Sequence, residues 1–439
     1  MPCIHIRSIM SRNRIVILAY GDTCNMPLYR AWADAMVPPP TVVSEFDVDW
    51  LPPPDTALII TARQFHEPEA IILRDAMRSG IPVLILADGI LEYRNTWLNP
   101  AVPPGGLYLP VAGHKIAVIG HGQARTLEAW GNAGKCEIVG CPRFDTLLQR
   151  KRPPRCRETA RFLVATARTP GFTTEQRDLI RTSIADLKAW FDAHPRLNGR
   201  PVEVIWRLTG GLAEELGIPA NDSSSTFHEL LGDADALITT PSTTMLEGML
   251  LDRPVAILDY TNSPSYVQAA WSMTAPVHMQ SVIPELLEPP AARMRFQNEM
   301  LHDHLACATP ATPRMLDLIG GMVRIGNSCR DSGAPLQFPT RMLPPLAPLA
   351  APPASLSDLF PERVESARLS LAELQAENIH LRDVARRQQH YITDLIALLK
   401  QINRELQAKA PVYARVLRYL SLPKRPKLEE IPPTCKIQN

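Results

Sequence analysis

Short continuous apolar runs alternate with helical periodicity from residue 14 to about residue 325. The first set reads RIVILAY (14–20), ALIIT (57–61), PVLILA (82–87), KIAVIG (115–120) and CEIVG (136–140). A strand covered on one face alternates apolar and polar positions. A run without alternation predicts cover on both faces, as in a parallel sheet. Between these runs EPEAIILRDAMRSG (67–80) has helical spacing, with Gly80 and Pro82 as its stop. A charged, Pro-containing break, KRPPRCRE (151–158), follows, and the pattern restarts with RFLVAT (161–166), VEVIW (202–206), ALIT (236–239) and PVAIL (254–258). Within 174–194, Ile180, Ile184, Leu187 and Phe191 share one helix face, which predicts a core stripe. The alternation predicts an α/β chain of two tandem doubly wound domains, residues 1–150 and 155–328. Two such halves leave a cleft where strand C-terminal ends meet, and ligands bind there.

The pattern then changes twice. Residues 330–358 hold seven prolines and predict a semi-extended linker, assigned to 329–358. Leu371, Leu374, Asn378, Leu381, Ala385, Gln388, Ile392, Leu395, Leu399, Ile402 and Leu406 then keep 3,4 spacing. This predicts a coiled-coil helix over 359–410 that pairs two copies of the chain, with Asn378 at an a position fixing register. The alternative is a long helix folded back on the globular body. The tail 411–439 is basic and carries Tyr413, Tyr419 and Leu420, so contact with an anionic membrane surface is a further expectation. Formal net charge is +1, and nothing global points to nucleic acid. The eight cysteines are scattered, without a CxxC pair or zinc-like spacing. With neither a signal-peptide pattern nor a run of about 18–20 apolar residues, a cytoplasmic location is expected, peripheral to the membrane if the tail binds it.

The stretch ALITTPSTTMLEG (236–248) reads as strand, turn and helix start. Pro241 ends the strand, Ser242 is the expected N-cap, and Thr243 and Thr244 fall in the first helical turn. Free amides and the positive dipole end suit a phosphate, and the hydroxyls add donors. Glu247, four residues after Thr243, lies on the same face one turn on, where a carboxylate can accept from the two vicinal hydroxyls of a ribose. The alternative is an ordinary capped helix.

DADALITTPSTTMLEGMLLDRPVAILD (233–259) resembles the second-domain motif of GT-B fold transferases, in particular the bacterial surface-polysaccharide and CDP-glycerol glycerophosphotransferase-like enzymes. KCEIVGCPRFDTLL (135–148) is similar to the segment that closes their first domain, and RFLVATART (161–169) to the strand that opens the second. The resemblance spans about 14–325 and implies two Rossmann-like domains. It also implies a nucleotide-activated donor held by Arg168, Arg207, Ser242, Thr243, Thr244 and Glu247, and a glycan or lipid-linked acceptor on the first domain. VEVIWRLTGG (202–211) supplies Arg207 but lacks the histidine that this group carries there.

Candidate general bases are Asp88 and Glu92, in ADGILEYRN (87–95) beside Arg94, and His121, in the strand-to-helix turn VIGHGQA (118–124). Gly120 and Gly122 would let that turn approach a ligand. Asp88 could equally cap a helix, Glu92 and Arg94 form a solvated pair, and His121 be structural. No D-x-D pair sits beside a suitable strand, and His302 and His304 lack a third ligand, so no metal or other cofactor is expected. The expected reaction moves a sugar or polyol phosphate from a nucleotide to a cell-surface glycan. The rivals are a sugar-nucleotide 2-epimerase and a non-catalytic scaffold of the same fold.

Overall fold

The computed structural model describes residues 12–19, 26–102, 107–148, 158–219, 225–346 and 371–409. They fall in two compact units, Met1–Pro361 and Glu362–Asn439.

The first unit holds two sheets. In the first, β1 (Arg14–Leu18), β2 (Thr41–Val43), β3 (Thr56–Thr61), β4 (Val83–Leu86), β5 (Lys115–Val118) and β6 (Cys136–Ile138) run parallel in the order β2-β1-β3-β4-β5-β6. In the second, β7 (Ala160–Ala165), β8 (Arg196–Leu197), β9 (Arg200–Arg207), β10 (Ala236–Thr239), β11 (Val255–Leu258) and β12 (Trp271–Met273) take the order β12-β11-β10-β7-β9-β8, parallel except for β8. The helices are α1 (Met26–Ala33), α2 (Glu67–Arg78), α3 (Tyr93–Trp97), α4 (His121–Leu127), α5 (Asp145–Leu148), α6 (Thr174–Ala193), α7 (Leu212–Glu215), α8 (Phe227–Asp233), α9 (Thr244–Leu250), α10 (Met279–Leu287), α11 (Ala291–His304), α12 (Ala311–Ser332) and, in the second unit, α13 (Leu371–Lys409).

Every residue of β3, β4, β5, β10 and β11 is buried, as the unalternating runs require. Helix α6 starts where the Thr173 hydroxyl accepts from the Gln176 amide, and it buries Ile180, Ile184, Leu187 and Phe191 on the second sheet. Helix α8 opens with a capping box between Thr226 and Glu229.

The domain boundary at 328 needs correction. Helix α12 leaves the second half and packs Met315, Leu318, Ile319 and Met322 against Ile17, Leu58, Ile60 and Leu84 of the first. Asp145 receives its start, accepting from the amides of Ala311 at 2.7 Å and Thr312 at 2.9 Å. The linker boundary at 329 also moves. Residues 338–343 are held on the first half by a buried ion pair. Lys115 Nζ donates to Glu137 (2.8 Å) and to the carbonyls of Pro339 (2.6 Å) and Thr340 (3.0 Å), while Glu137 accepts from the amides of Met342 and Leu343. Residues 347–358 lie outside the described residues, as do 359–370 of the coiled-coil assignment and the whole tail from 411. Of the stripe predicted on α13, the side chains of Leu381, Ile392, Leu395, Leu399 and Ile402 are exposed.

His114 Nδ1 accepts from the Val83 amide at 3.0 Å, a bond only the neutral ring can make on that lone pair. Burial, with Lys135 adding to it, pushes its pKa down to about 4. The folded state therefore binds this proton less readily than the unfolded chain. The stability contribution is complete above about pH 6.5 and is lost as pH falls from there to about 4. Urea unfolding between pH 7 and 4 should show this slope, worth at most about 3 kcal/mol, and His114→Gln should flatten it.

Candidate functional site

The C-terminal ends of β4, β7 and β10 point into one cleft of about 980 Å³, open mouth included, lined by both halves of the first unit. The first half contributes Asp88, Glu92, Arg94, Asn95 and Arg143; the second contributes Arg168, Ser242, Thr243, Thr244 and Glu247. The two walls touch. The Ile90 amide donates to Thr243 Oγ1 at 3.1 Å, and a Cβ on Gly89 would stand 1.9 Å from that oxygen. Only a glycine lets the loop after β4 approach so closely. Buried Gln123 fixes this loop, donating to the Gly89 carbonyl at 2.8 Å while accepting from the Ile119 amide.

The elbow's hydroxyls mostly have local partners. Thr240 Oγ1 accepts from the Ala167 amide at 2.7 Å, fixing the loop that carries Arg168. Thr239 Oγ1 lies 3.4 Å from Ser242 Oγ, and Thr243 meets Ile90. The N-cap is Thr243 rather than Ser242, and no side chain caps α9. The Met245 and Leu246 amides bond to the carbonyls of Ser242 and Thr243. The amides of Thr243 and Thr244 have no protein partner among the described residues.

Glu247 is 8% exposed. Its Oε2 lies 3.0 Å from His228 Nε2, and its Oε1 lies 4.0 Å from Arg143 Nη2. Arg143 reaches the cleft from the short helical turn after β6, its guanidinium 4.9 Å from the Phe144 ring centroid. Beneath it, burial pushes the Cys141 thiol up to about 11 against the opposing pull of Arg143. Cys141 is therefore a packing group rather than a nucleophile. Arg94, 1% exposed, donates from Nε to Glu92 Oε1 at 2.5 Å and holds Nη1 3.9 Å from Asp259. That Nη1 makes no hydrogen bond among the described residues.

Of the residues expected from sequence, Asp88, Glu92, Arg168, Ser242, Thr243, Thr244 and Glu247 share the cleft. Glu92 carries a fixed load: it caps α3, accepting from the Asn95 amide at 2.6 Å, and its other oxygen takes Arg94. Glu92 is thus held by two donors, and Asp88 is exposed at the cleft. Arg207 does not line the cleft; it donates to the Ser225 carbonyl. His121 opens into a separate cavity with His302, Cys307 and Arg314. The glycines beside it serve the fold: a Cβ on Gly120 would stand 2.3 Å from the His304 carbonyl carbon, and one on Gly122 2.4 Å from the His304 ring. In that second cavity the Cys307 thiol is pushed up to about 11 by burial, so its contact with His302 at 3.6 Å is not an activated dyad. The pair Asp233 and Asp235 precedes β10 at the edge away from the cleft. There Asp235 accepts from the Arg161 amide and pairs with Arg200. Arg143 has no role assigned from sequence, and His228, expected from sequence to start a helix near the cleft in a capping role, meets Glu247; no local pattern joins either to that carboxylate.

No family model and no curated protein matches the chain. Solved structures do. The S. aureus MnaA–UDP complex superposes with a TM-score of 0.50 at 10% identity, over 70% of this chain and 95% of that one. The UDP-GlcNAc 2-epimerase of Neisseria meningitidis bound to UDP-GlcNAc gives 0.43 at 11% identity, over 69% and 97%. The wall teichoic acid polymerase TagF gives 0.47 at 11% identity, over 71% and 89%. The two sheets, the cleft between them and the first of these likenesses define a GT-B fold.

Proposed function

We propose that the chain is a GT-B-type transferase that takes a sugar or polyol phosphate from a nucleotide-activated donor. One observation carries this reading: the cleft sets Arg143, Arg168 and the Thr243 and Thr244 amides, which have no partner among the described residues, beside a buried carboxylate, Glu247. The cations and amides suit a diphosphate, and Glu247 suits a ribose. The negative charge that develops on the leaving nucleotide meets groups already in place, which is electrostatic preorganisation. Asp88 is the acid best placed to take the acceptor's proton. Two of the similar structures hold UDP or UDP-GlcNAc by their descriptions, which agrees with this donor class. The acceptor belongs to the glycan or lipid-linked class. The exposed stripe of α13 fits pairing with a second copy of the chain, and the basic tail fits a membrane surface.

Calorimetry with UDP, CDP, GDP and CMP tests the donor. Glu247→Ala should weaken the bound ribonucleotide about tenfold, one good hydrogen-bonded carboxylate's worth, and leave pyrophosphate binding within about twofold. Equal loss of both ligands removes the ribose role. Turnover should release free nucleotide. An isomerised sugar nucleotide would instead identify a 2-epimerase, and binding without turnover a scaffold.

A further inference from the structure

Beside the cationic cleft lies a second pocket, about 640 Å³ with its mouth, which shares Ile90, Glu92 and Pro241 with it. The two adjoin and have unlike linings. Arg94, Arg143 and Arg168 line the first, whereas no lysine, arginine or histidine lines the second among the described residues. The carboxylates at the join are already engaged: Glu92 by Arg94 and Asn95, and Asp259 by the Thr261 amide at 3.1 Å and its hydroxyl at 2.6 Å. What remains on the wall is neutral: Asn262, Gln268, Ser272 and Thr274 bring polar groups, and Leu91, Met245 and Ile257 bring apolar ones.

Aromatic rings from both halves line or adjoin this pocket. Tyr93 and Tyr266 line it, with ring centroids 6.4 Å apart. Trp130 stands edge-on to Tyr266 at 5.6 Å and to Trp97 at 5.3 Å, and Trp97 Nε1 donates to the Tyr266 hydroxyl at 2.6 Å. Trp97 is 40% exposed. Such a cluster is rigid and amphipathic, and it leaves aromatic surface facing solvent. An anionic ligand finds no counter-charge here, and a purely apolar one would strand the amides and hydroxyls. A neutral saccharide satisfies both, stacking its C–H face on a ring and offering hydroxyls to the amide and hydroxyl groups.

We propose that this second pocket is the acceptor subsite and that it binds a neutral saccharide, with Tyr266 as the stacking residue. The assignment rests on the donor reading of the first cleft. The acceptor therefore lies largely on the loop 259–274 of the second half and on α3, and not on His121.

The test is calorimetry on the full chain with neutral trisaccharides of glucose, mannose, galactose and N-acetylglucosamine, each with and without UDP, CDP or GDP. At least one trisaccharide should bind. Tyr266→Ala should weaken it tenfold or more, whereas Tyr266→Phe, which keeps the ring and guards against misfolding, should stay within threefold. Absence of binding by every trisaccharide, or equal affinity in wild type and Tyr266→Ala, overturns the proposal. Loss of saccharide binding with nucleotide binding intact ascribes the effect to this pocket alone. Absence of nucleotide binding with Tyr266-dependent saccharide binding instead sinks the donor reading and leaves a saccharide site.

Discussion

Lys115→Met should destabilise the first unit by about 3–5 kcal/mol, the usual cost of removing one partner of a buried ion pair. The lysine and Glu137 are 1% and 3% exposed at their side chains. The substitution removes a 2.8 Å ion pair together with donations to Gly134, Pro339 and Thr340, and it leaves a carboxylate without its cation. Methionine has nearly the same length, so little cavity is created and the loss is electrostatic. Urea denaturation measures it. Adding Glu137→Gln should recover about 1 kcal/mol or more, because a neutral amide still accepts from the Met342 amide without carrying an uncompensated charge. Limited proteolysis should find new cuts in 338–346 in the single variant. A change below about 1 kcal/mol would mean that the ion pair contributes little net stability.

Arg143→Ala should weaken pyrophosphate and every nucleoside diphosphate by about ten- to a hundredfold, the worth of one or two charge-assisted hydrogen bonds. Pyrophosphate is the sharper probe, since it lacks the ribose that Glu247 would hold. The loss should shrink as salt rises, because a partly exposed guanidinium is screened. Arg143→Lys should recover part of it, a point charge replacing a planar fork. Unchanged pyrophosphate affinity in Arg143→Ala would place the anion elsewhere in the cleft.

The strand runs were legible because burial on both faces leaves an unmistakable sequence. The α6 stripe was legible because helical spacing repeats locally. The cleft was legible in outline: Asp88, Arg168 and Glu247 each follow or precede a recognisable strand, and topology sends such ends to one edge. Partnership across the halves was not. Arg143 meets Glu247 over a hundred positions later, and nothing in CPRFD says which carboxylate it faces. The return of α12 to cover the first sheet also joins residues too far apart in the chain for local spacing to reveal. The glycines around His121 announced close approach but not what approaches. The answer was His304, its backbone at Gly120 and its ring at Gly122, not a ligand.

The seat of residues 338–343 has a mechanical consequence. Tension drawn on the segment 338–343 is taken up at Lys115 in β5 and Glu137 in β6, the last two strands at one edge of the first sheet. The load enters through two adjacent parallel strands and bypasses the loops that carry Asp88, Arg168 and Glu247.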